Sequence, residues 1–181
     1  PDMIASVSEI LSIIPPSPWV VRHAGLIAPR GEVLDLACGS GRHARYLAGL
    51  GHAVHAVDRD AAAMAGFQGV SGITAEQRDL EGEAWPLAGR SYAGIVVTNY
   101  LWRPRLPDLL ALLAPGSVLI YETFMLGNEA YGKPSRPAFL LQPGELRLIA
   151  AAAGLREIDF VEGYVEAPKP AMRQAICALR E

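Results

Sequence analysis

Apolar positions along this chain recur with two periods, and the periods alternate. From Met3 to Ile14, the residues Ile4, Val7, Leu11 and Ile14 lie three and four apart, which predicts a short amphipathic helix ended by Pro15-Pro16. Ser17-Pro18 then supplies an N-cap and a first-turn proline. A second helix follows, with Val20, Ala24 and Ile27 on one face. Beyond it the pattern shortens. Val33 to Ala37 is a nearly all-apolar run of the kind buried on both faces of a parallel sheet. Arg42 to Leu50 reads as a helix with Ala44, Leu47 and Ala48 on one side and Gly51 as its stop. The alternation continues with strands at 53–57, 73–78, 93–98 and 117–123, an Ala-rich helix at 61–65, and a Leu-rich helix that Pro107 opens and that runs to Leu113. Leu146, Ile149, Ala150 and Ala153 mark a last helix, stopped at Gly154. Two extended segments, 157–165 and 172–179, close the chain around the turn at 167–170.

Strand and helix therefore alternate at least four times, which predicts an α/β layered fold with a mostly parallel sheet. No internal repeat or low-complexity linker divides residues 1–181, so a single domain is expected. One connection is long: Phe124 to Gln142 has little periodicity of either kind and is rich in Gly, Pro and aromatics. Loops of that length in a compact domain are usually lids or binding loops.

Composition narrows the function classes. With 181 residues, 51% apolar and 19% charged, the chain can bury one real core and is not disordered. No apolar run approaches the ~18 residues of a membrane span. The first residues lack the basic start of a secretory signal. Two cysteines make no disulfide framework and fit a reducing, cytoplasmic setting. A net charge of -3 argues against a dedicated nucleic-acid binder, which needs a large cationic footprint. H-E-x-x-H, Cys-x-x-Cys and G-x-S-x-G are absent, so zinc chemistry and serine hydrolysis have no support. His52 and His55, three apart on a predicted strand, point to opposite faces and are poorly placed to share a metal.

The informative stretch is Val33-Leu-Asp-Leu-Ala-Cys-Gly-Ser-Gly-Arg-His-Ala44, in which a strand runs into Gly39-Ser-Gly41 and a helix begins at once. Glycine permits positive φ and close approach of a ligand to the backbone. The following helix offers free N–H groups to a phosphate or carboxylate. Asp58 lies just after the second strand, 19 residues beyond Gly39, and Asp79 ends the third. Asp35, Asp58 and Asp79 thus sit at or near the carboxyl ends of three consecutive strands, the edge at which open α/β sheets bind their ligands.

LDLACGSGRHARYLA, the acid in AVDRD and the acid in QRDLE resemble motifs of class I S-adenosylmethionine-dependent methyltransferases, from about Ser17 to the chain end. The later stretch YETFMLGNEAYGKPSRPAFLLQPGEL resembles a narrower branch, the bacterial tellurite-resistance-type and other small-molecule methyltransferases. The resemblance implies a Rossmann-like three-layer α/β/α fold, with a mostly parallel seven-stranded sheet and an antiparallel last strand. It also implies S-adenosylmethionine as cofactor and S-adenosylhomocysteine as product. Asp35 would help fix the loop and the methionine amino end. Ala37, Cys38, Gly39 and Gly41 would line the methionine portion, and Asp58 would take the ribose hydroxyls with Arg59 flanking the adenine. Asp79 and Leu80 would meet the adenine, and Asn99, with Tyr100 and Leu101 beside it, would hold the sulfonium end.

Three questions stay open at the level of sequence. Gly39-x-Gly41-x-x-Ala44 also fits an NAD fingerprint, although Asp35 inside the strand and the short chain count against a dehydrogenase. A methyltransferase-like module that binds cofactor and regulates a partner without turnover is the other rival. If the acceptor must lose a proton, Glu122 is the first candidate base, with Tyr100 beside the reacting centre and His43 as a second candidate. Tyr100, Trp102, Tyr131 and Phe139 could wall an acceptor. Arg103, Arg105, Lys133, Arg136 and Lys169 would suit an anionic one. Thr98-Asn-Tyr-Leu101 departs from the Asn-Pro-Pro-aromatic signature of nucleic-acid amino-methylating enzymes, so a small-molecule acceptor is expected.

Overall fold

The computed structural model describes residues 14–181, and the helix predicted from Met3 lies outside them apart from Ile14. Seven strands form one sheet: β1 (Val33–Leu36), β2 (Val54–Asp58), β3 (Ile73–Gln77), β4 (Tyr92–Thr98), β5 (Leu113–Phe124), β6 (Arg156–Val165) and β7 (Ala171–Leu179). Helices α1 (Pro18–His23), α2 (Arg42–Gly49), α3 (Ala61–Ala65), α4 (Leu106–Leu110) and α5 (Glu145–Ala152) cover its faces. The strand order is β3-β2-β1-β4-β5-β7-β6, with β1 to β5 parallel and β7 antiparallel to both its neighbours. The expected seven-stranded sheet with one antiparallel strand is thus observed. Strand order reverses between β1 and β4, the switch point at which such sheets open a crevice beyond their carboxyl ends.

Successive strand residues face opposite layers, so the apolar runs feed two cores. Leu34, Leu36, Ile95, Val97, Leu119 and Tyr121 pack with Leu106, Leu109, Leu110 and Leu146 on one face. Val33, Val96, Val118 and Ile120 pack with Trp19, Val20, Leu47 and Phe67 on the other. Each such buried side chain is worth about 1.5–3 kcal/mol against exposure. Asp35 sits between Leu34 and Leu36 in this fully buried strand, a place for a carboxylate that packing alone does not explain.

The differences from expectation have local causes. The helix opened by Pro107 ends at Leu110, because the chain turns to pair: Tyr92 N–H donates to the Leu112 carbonyl, and β5 already begins at Leu113. The second predicted helix tightens into a 3-10 turn over Ala24–Leu26. His52 precedes β2, bonds the Gly31 carbonyl through Nδ1, and shares no strand with His55. The stretch from Phe124 to Gln142 is ordered without regular periodicity. Met125 bridges Leu141, and 3-10 turns occupy Asn128–Ala130 and Pro137–Phe139. The buried Asn128 amide donates to the Pro134 carbonyl while its oxygen accepts from Met172 N–H. No helix among the described residues is long and apolar enough to cross a membrane.

Candidate active site

The loop after β1 is shaped by backbone conformation. Ala37 (φ 51°), Gly39 (φ 54°) and Gly41 (φ 86°) all adopt left-handed values. The two glycines do different work. A Cβ on Gly41 would lie 2.0 Å from the Phe67 ring, so this glycine lets the loop press against the core. A Cβ on Gly39 would meet nothing within 4 Å, so its bare face looks into open space. Gly39 N–H donates to Asp58 Oδ2 at 2.9 Å, which ties the loop to the end of β2, and Asp58 Oδ1 accepts from Asp60 N–H. The Cys38 thiol is pushed up by burial, with Asp35 adding to the effect, so it is no nucleophile.

Beneath this loop, Asp35 is 1% exposed, and neither carboxylate oxygen has a hydrogen-bond partner among the described residues. Burial raises its pKa to about 7. A buried acid without a protein donor is costly and asks for a cationic or donor group from elsewhere. Such a group fits an amino-acid ammonium delivered beside a loop that Gly39 leaves open.

Two clefts open at the carboxyl edge of the sheet. The first, of about 370 Å³, is walled by eight of the residues predicted from sequence: Ala37, Asp58, Arg59, Asp79, Leu80, Asn99, Tyr100 and Leu101. Asp35, Cys38, Gly39 and Gly41 do not line it; they form and support the loop. Asp79 Oδ1 accepts from Glu81 N–H. The Tyr100 hydroxyl is buried, and burial, with Glu81 and Asp79 nearby, raises its pKa. Pro134 and Phe139 of the long loop complete the wall.

The second cleft, of about 390 Å³, shares Asn99 and Phe124 with the first and contains Glu122. Here sequence reasoning missed Arg173. This residue lies opposite Phe124 in the β5–β7 register, donates to Asn99 Oδ1 at 2.7 Å, sits 3.7 Å from Glu122 and stacks over the Phe124 ring at 4.6 Å. Only the pairing register could have signalled it. Other expectations shift. Arg103 grips Glu145 at 2.7 and 2.8 Å and donates to the Ala138 and Leu140 carbonyls. Arg105 donates to Asp108 and to the Gly82 and Glu83 carbonyls. Both brace loops rather than rim a cleft, and of the predicted cations Lys169 alone lines the second one. His43 is buried, accepts from Ser17 N–H through Nε2 and contacts Thr98 through Nδ1. Burial lowers its pKa to about 4, so it is a neutral brace and not the base. Tyr131 packs on Tyr164 and lines neither cleft.

This geometry can be set beside known proteins. Residues 33–116 match a family model described as a methyltransferase domain. TehB from Haemophilus influenzae superposes with a TM-score of 0.76 at 21% identity, over 92% of this chain and 63% of that one, so the chain spans under two thirds of TehB. A TehB-like SAM-dependent methyltransferase from Corynebacterium glutamicum gives a TM-score of 0.65 at 19% identity, over 90% of this chain and 88% of that one. The glycopeptide N-methyltransferase MtfA, complexed with S-adenosyl-L-homocysteine, gives 0.63 at 18% identity, over 90% and 88%. No curated protein matches by sequence. Residues 33–116 thus match a methyltransferase domain, and the described chain shares its fold with S-adenosylmethionine-dependent methyltransferases.

Proposed function

We propose that the protein methylates a small, anionic molecule, with the cofactor in the first cleft and the acceptor in the second. The observation that carries this reading is the common wall: Asn99 and Phe124 border both clefts, so two ligands can meet there and nowhere else along either lining. S-adenosylmethionine would supply an electrophilic methyl on a positively charged sulfur. The residues fit it in three places. Asp35 and the open face of Gly39 suit its amino-acid end, Asp58 keeps lone pairs for ribose hydroxyls, and Asp79, Leu80 and Arg59 suit the adenine. Asn99, held by Arg173, would orient the sulfonium end.

A nucleophile bound beside it would take the methyl while the sulfur kept the bonding electron pair. Such charge-dispersing transfer gains much of its rate from alignment in a dry site. Asn99 and Phe124 would set that alignment. Where the nucleophile carries a proton, the Glu122 carboxylate at the edge of the second cleft would receive it; Tyr100, whose raised pKa keeps its hydroxyl protonated, would position rather than abstract.

Titration calorimetry with S-adenosylhomocysteine tests the first cleft, and S-adenosylhomocysteine release across a panel of small acids tests the second. Binding in the micromolar range with turnover of at least one panel member is expected. Preference for NAD, or release only with nucleic acid, would overturn the reading.

A further inference from the structure

Resting on the two-cleft reading, we propose that the acceptor is a monocarboxylate on an apolar body, its carboxylate held by Arg173, Arg42 and Lys169. The second cleft has a mixed lining. Apolar or aromatic residues include Phe124, Val161, Tyr164 and Pro168, with Val161 and Tyr164 about half exposed. Among them stand three cations and two carboxylates, and Arg173 stacks directly on Phe124.

Those charges are unequally engaged. Glu162 is already used, since its Oε2 accepts from Gln174 at 2.8 Å and from Gly144 N–H at 2.9 Å. Glu122 stands 3.7 Å from Arg173, too far for a hydrogen bond. Arg173 has a side chain only 17% exposed, and Asn99 satisfies one of its donors. Burial lowers its pKa; Glu122 counters that lowering, and Arg42 adds a smaller one. Arg42 itself donates only to the Pro15 carbonyl, at 3.3 Å, among the described residues. Two guanidiniums that line one cleft with donors to spare are suited to share an anion.

Three cations against two carboxylates leave one positive charge, which a single negative charge balances. An inorganic oxyanion would meet the cations but leave the apolar residues wet. A neutral apolar molecule would cover those residues and leave the guanidiniums unpaired. A carboxylate on a short apolar body answers both.

The test is calorimetry on the full chain saturated with S-adenosylhomocysteine, using phenylacetate and hexanoate, the neutral phenylacetamide, and inorganic phosphate. At least one carboxylate is expected to bind about tenfold or more tightly than phenylacetamide, as a charge-assisted pair requires, and more tightly than phosphate. Lys169→Glu, at an exposed position, should weaken that carboxylate about fivefold or more, and Arg173→Gln further still. Equal binding of acid and amide, phosphate binding as tightly as the acids, or no heat from either carboxylate would overturn the proposal. Failure of S-adenosylhomocysteine itself to bind would instead overturn the methyltransferase reading, so the two failures are separable.

Discussion

The two clefts share Asn99 and Phe124 but are built by opposite rules. The first is made at the ends of consecutive parallel strands, largely by backbone conformation: left-handed residues at 37, 39 and 41, one glycine against Phe67, one facing open space. The second is made by side chains that converge from far apart, Trp19 on α1, Arg42 at the start of α2, Glu122 on β5 and Arg173 on β7. A site defined by backbone is hard to alter and serves one ligand, whereas a site defined by side chains can be retuned one residue at a time. That division suits a domain whose donor is fixed and whose acceptor is particular to each protein.

The sharpest way to break this contrast is Gly41→Ala. The new Cβ would enter the Phe67 ring at a φ of 86°. Strain and overpacking together should cost about 2–4 kcal/mol of folding stability, with loss of measurable S-adenosylhomocysteine binding. Denaturant unfolding checks the first and calorimetry the second; unchanged values would mean that the loop is not set by its backbone. On the acceptor side, Glu122→Gln should reduce turnover of a proton-bearing acceptor about a hundredfold while S-adenosylhomocysteine binds as before. A parallel loss of cofactor affinity would erase the distinction between the clefts.

Asp35 gives a pH signature to the donor side. Burial holds its folded pKa at about 7, above the ordinary aspartate value of 3.8. Between those values the folded chain holds a proton that the unfolded chain has released. Ligand-free stability should therefore fall as pH rises from about 4 to about 7 and level off above that. The slope is at most about 1.4 kcal/mol per pH unit. Asp35→Asn should remove this slope and raise ligand-free stability at pH 8 by about 1–3 kcal/mol, with weaker S-adenosylhomocysteine binding as the cost. Thermal unfolding at pH 5 and pH 8 decides it; identical slopes in both proteins would place the buried charge elsewhere. Asp58→Ala comes next, at about tenfold weaker S-adenosylhomocysteine binding, because it removes both an acceptor and the anchor of Gly39 N–H. Unchanged affinity would end its assignment to the ribose.

The same contrast explains what could be read from sequence. The first cleft was legible because local signals write it: an apolar run, two glycines, and an acid at each following strand end. Five strands were legible as strand-like runs and the last two as extended segments, within a few residues at their ends. Burial on both faces forces the continuous apolar runs of β1, β2 and β4, whereas β3 and β6 keep exposed positions. The acceptor cleft was not. Arg173 looks like any strand cation until β7 is laid against β5 and Phe124 is found beneath it. Arg103 and Arg105 looked like a rim because nothing local shows that Glu145, Asp108 and four backbone carbonyls already engage them. His43 looked chemical, and only the fold shows Ser17 and Thr98 occupying both its nitrogens.

The smallest predicted effect probes the backbone rule from the other side. Ala37 holds φ at 51°, a value that costs a side-chain-bearing residue about 1–2 kcal/mol. Ala37→Gly relieves that strain. Against it stand the greater freedom of glycine in the unfolded chain, about 0.5–1 kcal/mol, and the loss of a methyl packed on the core, about 0.8 kcal/mol. These terms nearly cancel, so stability should stay within about 0.5 kcal/mol, and S-adenosylhomocysteine affinity within about twofold, since the carbonyl and N–H directions are kept. A stability loss above about 2 kcal/mol would show that the Ala37 methyl, and not the conformation it tolerates, holds the loop, and the donor cleft would then follow the same side-chain rule as its neighbour.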